Sequence, residues 1–280
     1  MRKKRFVVPS ICFAVVLSAA LFGISASAAQ TASESAGGSW WDDVKAQFVL
    51  NFVEKDRWRS LLEGLGNTLK ITLFAALLGV VIGIIIAAIR TTFDNNKENM
   101  KHSKSFGYYV LGFFNAICKV YLTIIRGTPV VVQLLIIYFI IFASSTKDIL
   151  IASLAFGINS GAYVAEILRG GIMSIDKGQF EAGRSLGFNY VQTMVYIIIP
   201  QVLKNVLPTL LNEFIALLKE TSVAGYVGVV DLTRAGNAIR GATFSAFMPL
   251  IAVALIYLAI VMLLTWLVGI IERRLRKNER

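Results

Sequence analysis

Glu181-Ala182-Gly183-Arg184-Ser185-Leu186-Gly187, followed after Phe188 to Tyr196 by Ile197-Ile198-Ile199-Pro200, is a polar loop held between two strongly apolar segments. Its composition fits a short amphipathic helix: Phe180, Leu186 and Tyr190 supply apolar anchors, while Glu181 and Arg184 are polar. Gly183 and Gly187 allow another backbone to come close. A helix of this kind, seated in the groove of a rigid partner, moves the apolar segments on either side when the partner pushes. The loop reads as a docking surface.

The barrier around it follows from composition. Hydrophobic residues make up 56% of the 280 positions, against roughly 45–50% in ordinary soluble domains, so the chain is an integral membrane protein. Lys and Arg outnumber Asp and Glu by 28 to 17, and the excess clusters at the ends of apolar segments, where the positive-inside rule and anionic lipid place it. No basic stripe is interleaved with aromatics on a soluble domain, which excludes nucleic-acid binding. Two cysteines, Cys12 and Cys118, and one histidine, His102, leave metal and thiol chemistry almost nothing to work with. Neither a nucleotide-cradling Gly-Lys-Ser loop nor a Ser/His/Asp set is visible, so the sequence points to transport and away from catalysis.

Arg2, Lys3, Lys4 and Arg5 precede an apolar run from Phe6 to about Ser25, and Ala26-Ser27-Ala28 then offers a signal-peptidase site. Residues 1–29 are read as a signal peptide or as an uncleaved N-terminal transmembrane anchor, and either puts the following residues outside the cell. Residues 30–65 form an extracellular linker. Within it Val44, Phe48 and Phe52 recur at helical spacing, as an amphipathic helix on the outer surface or a solvent-facing linker helix. Trp40, Trp41 and Trp58 suit an interface.

Five apolar stretches follow at about 66–90, 119–144, 149–169, 194–217 and 246–271, each near the ~20 residues that cross a bilayer. The run at 107–118 reads as a helix along the inner interface that turns into the second span. Arg90, Lys97, Lys101 and Lys104 follow the first span, and Arg273, Arg274, Arg276, Lys277 and Arg280 follow the last. Both clusters belong in the cytoplasm, which an odd number of spans satisfies if the chain enters the first from outside. The loop at 170–193 then faces the cytoplasm, as does the basic tail at 272–280.

With that placement the loop's spacing becomes specific. Glu-Ala-x, three residues, Gly, nine residues, Ile-x-x-Pro resembles the cytoplasmic coupling loop of ATP-binding-cassette (ABC) importer permeases. Gly183 and Ile199 replace the consensus Ala and Leu, keeping a small residue and a branched aliphatic. The blocks from Tyr121 to Tyr138, with Arg126-Gly127-Thr128-Pro129 and Gln133, and from Tyr163 to Gln179, with Glu166 and Arg169-Gly170-Gly171, look like the polar amino-acid uptake branch of histidine, glutamine and cystine permeases. Pro200-Gln201, Pro208, Asn212-Glu213 and Lys219-Glu220-Thr221-Ser222 extend the match to about residues 62–272.

What the resemblance implies is an all-α membrane protein with a five-helix, type I (MetI-like) importer domain at 66–271, preceded by the signal peptide or extra helix. It implies a multi-pass plasma or inner membrane subunit of a bacterium, paired with a second permease subunit, either an identical copy or a paralogue. A cytoplasmic ABC ATPase dimer would bind ATP and Mg, an extracellular solute-binding protein would deliver the solute, and this chain would hold no cofactor and no catalytic residue. Gln179, Glu181, Ala182, Gly183 and Gly187 are the residues expected to meet the ATPase.

The remaining polar residues of the spans are read on their own chemistry. Arg126 early in one span and Glu166 late in the next should lie at similar depth, either as an ion pair or each snorkelling to the inner interface. Asn212 and Glu213 inside the fourth span, with Ser160 and Tyr163, are expected either to border the solute path or to hold helices together. Lys219 to Gly241 reads as part of an outer gate or binding-protein seat, or as a plain connection. An ion- or proton-coupled secondary transporter is the rival class, but it commonly shows inverted repeats that the two halves lack, and it leaves the docking loop without a use.

Overall fold

The computed structural model describes residues 40–103 and 106–277. The expected signal or anchor at 1–29 and the loose stretch at 30–38 lie outside them. No strand occurs among the described residues. Contacts divide the chain into two compact units, one up to Leu65 together with Leu232–Ala259, the other comprising Gly66–Asp231 and the chain from Ile260.

The first unit opens with α1 (Trp40–Phe48), which widens into a π turn at Val49–Val53 before α2 (Arg57–Ser103) begins. That turn breaks the register of the expected amphipathic face. Phe48 is exposed, while Phe52 packs with Leu61, Leu232, Ala235, Ile239 and Val253. The fully buried Asn51 donates to the Gln47 carbonyl at 2.8 Å and accepts from Thr243 Oγ1 at 2.8 Å. Its amide is thereby satisfied away from water, and it ties the π turn to the end of α9 (Leu232–Thr243).

The second unit is built on α2 and α5 (Asp148–Met173). Gly79 and Gly83 of α2 face Ser160 and Val164 of α5, and Gly157 and Gly161 of α5 face Leu78 and Ile82 in return. Contact numbers rise together along both helices, so the two run parallel. A Cβ on Gly83 would lie 2.4 Å from Val164 Cγ1, so glycine sets the closeness of this seam. Small-xxx-small spacing is how helices approach in lipid, where burial of apolar surface supplies no drive.

Five helical stretches are long and apolar enough to cross a membrane: Trp40–Asn95, Phe106–Gly127, Asp148–Met173, Tyr190–Val227 and Phe247–Leu275. Four contain the expected spans. The second differs, because α3 (Phe106–Gly127) runs unbroken through residue 118, where an elbow was expected, and the chain breaks instead at Thr128-Pro129 before α4 (Val130–Ile136). Proline has no N–H for the Ile125 carbonyl, and Pro129 is extended at ψ 137°. Gln133 replaces that donor: its amide nitrogen reaches the Ile125 carbonyl at 2.8 Å and the Thr128 carbonyl at 3.0 Å. Its amide oxygen accepts from Asn159 of α5 at 2.9 Å. The break is thus satisfied inside protein, as non-helical backbone at membrane depth must be.

Candidate functional site

The loop after α5 folds into a two-helix corner. Asp176 caps α6 (Lys177–Ser185) by accepting from the Gly178 N–H at 2.6 Å. The helix ends at Gly187, whose φ of +81° is open to glycine at little cost. The Phe188 N–H reaches the Gly183 carbonyl at 3.0 Å and the Gly187 N–H the Arg184 carbonyl at 2.9 Å, the paired bonds of a Schellman stop. Asn189 and Gln192 then exchange two 2.9 Å bonds as a capping box that starts α7 (Tyr190–Thr193).

The corner is held shut at Gly183, where a Cβ would lie 2.6 Å from Thr193 Cγ2. The close approach foreseen for Gly183 is therefore made within the chain. Phe180 anchors the corner against Ile198, Val202 and Val206. Leu186 was expected to anchor it too, but it is 71% exposed, because the Schellman turn points it away from that cluster. Gln179, Glu181, Ala182 and Leu186 are exposed on the surface of this capped corner. Asn95 at the end of the described α2 side chains donates to the Tyr190 hydroxyl at 3.3 Å, which links the corner to a second helix.

One carboxylate organises the neighbouring charges. Glu166 Oε1 lies 3.3 Å from Arg90 Nη1, and its Oε2 lies 3.3 Å from Arg169 Nη2 and 3.8 Å from Arg126 Nη1. Arg169 also reaches Asp94 at 3.9 Å, and the Arg126 guanidinium sits over the Tyr163 ring at 5.9 Å. Arg126 and Glu166 are brought together, but the nearer partners are Arg90 and Arg169. Sequence reasoning used Arg90 only as an orientation charge and Arg169 only as part of a motif. Arg169 carried a local signal, being three residues beyond Glu166 on one helix. Arg90 carried none, since its approach depends on the parallel seam of α2 and α5. A cavity of about 590 Å³ opens beside the cluster, lined by Arg90, Lys119, Arg126, Tyr163 and Glu166 among others.

The four residues expected at the solute path fall in three places. Ser160 is buried against Gly79 in the helix seam, and Tyr163 lines the charged cavity. Asn212 and Glu213 lie on α8 (Ile199–Glu220), Asn212 exposed and Glu213 half-buried. Among the described residues no hydrogen bond joins any of the four to another. Gln201, Asn205, Thr209, Asn212 and Lys219 recur every three, four or seven residues and form one polar stripe along α8. The opposite face buries Val202, Val206 and Leu217.

A family model described as binding-protein-dependent transport system inner membrane component matches residues 105–277. The arginine transport system permease protein ArtQ of Bacillus subtilis is 35% identical over 234 residues, covering 78% of this chain and 94% of its own length. The glutamine transport system permease protein GlnP of Escherichia coli K12 is 39% identical over 179 residues, covering 62% and 80%. Among solved structures, an amino acid ABC transporter crystallised with histidines superposes with a TM-score of 0.67 at 35% identity, covering 85% of this chain and all of that one. The MetNI methionine ABC transporter superposes at 0.66 with 17% identity, which speaks to the fold alone, covering 79% and 99%.

Proposed function

Since the chain belongs to the family of binding-protein-dependent transport system inner membrane components, we propose that it passes polar amino acids, delivered by an extracellular solute-binding protein, across a bacterial plasma or inner membrane. The chain is a multi-pass permease subunit of an ABC importer, a class in which the ATPase is a separate subunit; a secondary transporter gives way to it. The amino-acid cargo is supported by relatives named for glutamine and for arginine. ATP and Mg are assigned to a cytoplasmic ATPase dimer, and a second permease subunit, identical or paralogous, completes the path.

The observation that carries this reading is the capped corner of α6 and α7. A docking element must transmit a push without bending, and this one is stopped at both ends by satisfied backbone groups and closed by the Gly183 contact. Gln179, Glu181, Ala182 and Leu186 are assigned to the ATPase groove, with Gly183 and Gly187 holding the shape that presents them. The proposed topology puts residues after about 30 outside and the loop at 170–193 and the tail at 272–280 in the cytoplasm, with 1–29 as signal or anchor and 66–271 as the permease domain. Closure of the ATPase dimer then biases an inward- against an outward-open arrangement.

Asn212 is assigned to the solute path together with the polar stripe of α8, because uncovered amides in a membrane helix face a water-filled cavity or a partner subunit. Glu213 and Tyr163 are placed on that path less directly, and Ser160 acts through the seam that sets its width. The test is copurification with the ABC ATPase subunit of the same importer. Glu181→Ala or Gly187→Val should release it while the permease still folds, and stable association in both variants would sink the docking assignment.

A further inference from the structure

We propose that the cavity between α2, α3 and α5 is a binding site for a phosphate group. Three cations line it, Arg90, Lys119 and Arg126, against one carboxylate, Glu166, and Arg169, which also pairs with Glu166, has Asp94 as a second partner. Two positive charges are therefore in excess. Glu166 is shared by three guanidiniums, and Lys119 has no carboxylate within ion-pair distance among the described residues. The buried Arg90 Nε donates to nothing, and the Tyr163 hydroxyl has no hydrogen-bond partner among the described residues.

The lining is thus rich in donors and poor in acceptors. An ammonium group would meet an excess of like charge there, while an oxyanion meets charge-assisted donors from two guanidiniums, one ammonium and one phenol. At about 590 Å³ the space exceeds what one carboxylate fills, and the excess of two charges matches a phosphate monoester or a pair of phosphodiesters. Two sources supply that chemistry, an anionic lipid headgroup and soluble phosphate. The exposed Val120 and Ile124 beside Lys119 and Thr123 on α3 offer apolar surface next to the cavity mouth, which favours the lipid.

The test uses the whole importer, delipidated and returned to detergent, with cardiolipin, phosphatidylcholine and inorganic phosphate as probes read by native mass spectrometry and calorimetry. Cardiolipin should be retained and phosphatidylcholine not. Lys119→Gln and Arg126→Gln should each weaken cardiolipin about fivefold, the loss of one charge near a phosphate surface, while Lys204→Gln on the exposed side of α8 should not. Binding of inorganic phosphate without cardiolipin, with the same dependence on Lys119 and Arg126, assigns the site to a soluble phosphate. Equal binding by wild type, Lys119→Gln and Arg126→Gln overturns the proposal, as does wild type that binds neither probe. Lys119 makes no ion pair that folding needs, so its variant keeps the test readable if Arg126→Gln fails to fold.

Discussion

The membrane-crossing stretches that contain α5 and α8 are almost equally apolar and differ in what they do with their polar atoms. The crossing windows of Asp148–Met173 and Tyr190–Val227 have mean hydropathies of 1.4 and 1.5, yet 67% of the first is buried and only 17% of the second. In α5, Ser153, Asn159 and Ser160 are turned inward, and Asn159 finds its partner in Gln133. In α8, Asn205, Thr209 and Asn212 are turned outward and form a stripe with nothing described against it. Hydropathy measures whether a helix can cross. Whether its polar groups hold the fold or line a path depends on which neighbour covers them.

The strongest way to break this comparison is Gly83→Leu, which attacks the seam that buries α5. A Cβ there already meets Val164 Cβ at 2.7 Å and the Ala165 nitrogen at 3.0 Å, and backbone has nowhere to retreat. Overpacking of this kind costs about 3 kcal/mol. The variant should lose most of its folded yield in a detergent melting assay, and a wild-type midpoint would mean the two helices are not locked. Gly183→Ala is the milder relative, at about 1–2 kcal/mol. Its nearest contacts are the tips of Thr193, and a lowered midpoint with weakened ATPase association is expected.

Next in size is Asn159→Leu on the buried helix. It removes the donor to Gln133 and leaves a buried amide oxygen beside the Pro129 break. An orphaned buried acceptor costs about 2 kcal/mol. The melting midpoint should fall, and Gln133→Leu in the same chain should add less than its own single effect, because the two residues share one bond. Strict additivity would show that the bond carries no stability.

Much of this was legible in the sequence, and the limits have physical causes. Four spans follow from run length, because bilayer thickness fixes it. The stop of α6 follows from Gly187, a local signal, whereas the Asn189…Gln192 capping box emerges only in the structure. The second span was misread because Thr128-Pro129 interrupts an apolar run without changing its hydropathy, and only Gln133's side chain shows how the break is satisfied. Arg90 could not be joined to Glu166 in advance, since 76 residues separate them and the helix seam alone sets their distance. Leu186 was assigned to the inside by its apolar character, although the turn that exposes it was readable from Gly187. The polar stripe of α8 was half visible: Asn212 was singled out, but Asn205 and Thr209 joined it only when the helix phase was known.

The smallest expected effect on folding is also the sharpest test of the contrast: Asn212→Leu, the same chemical change as Asn159→Leu made on the exposed helix. Asn212 has no hydrogen-bond partner among the described residues, so its removal orphans nothing, and stability should stay within about 0.5 kcal/mol. If the stripe lines the proposed solute path, uptake by the assembled importer should nevertheless fall, because the apolar side chain removes a polar contact for the passing zwitterion. If uptake is unchanged and the midpoint rises, the stripe meets lipid or a partner helix. The midpoint and the uptake rate, read on the two asparagine variants side by side, therefore separate a polar residue kept for the fold from one kept for the cargo.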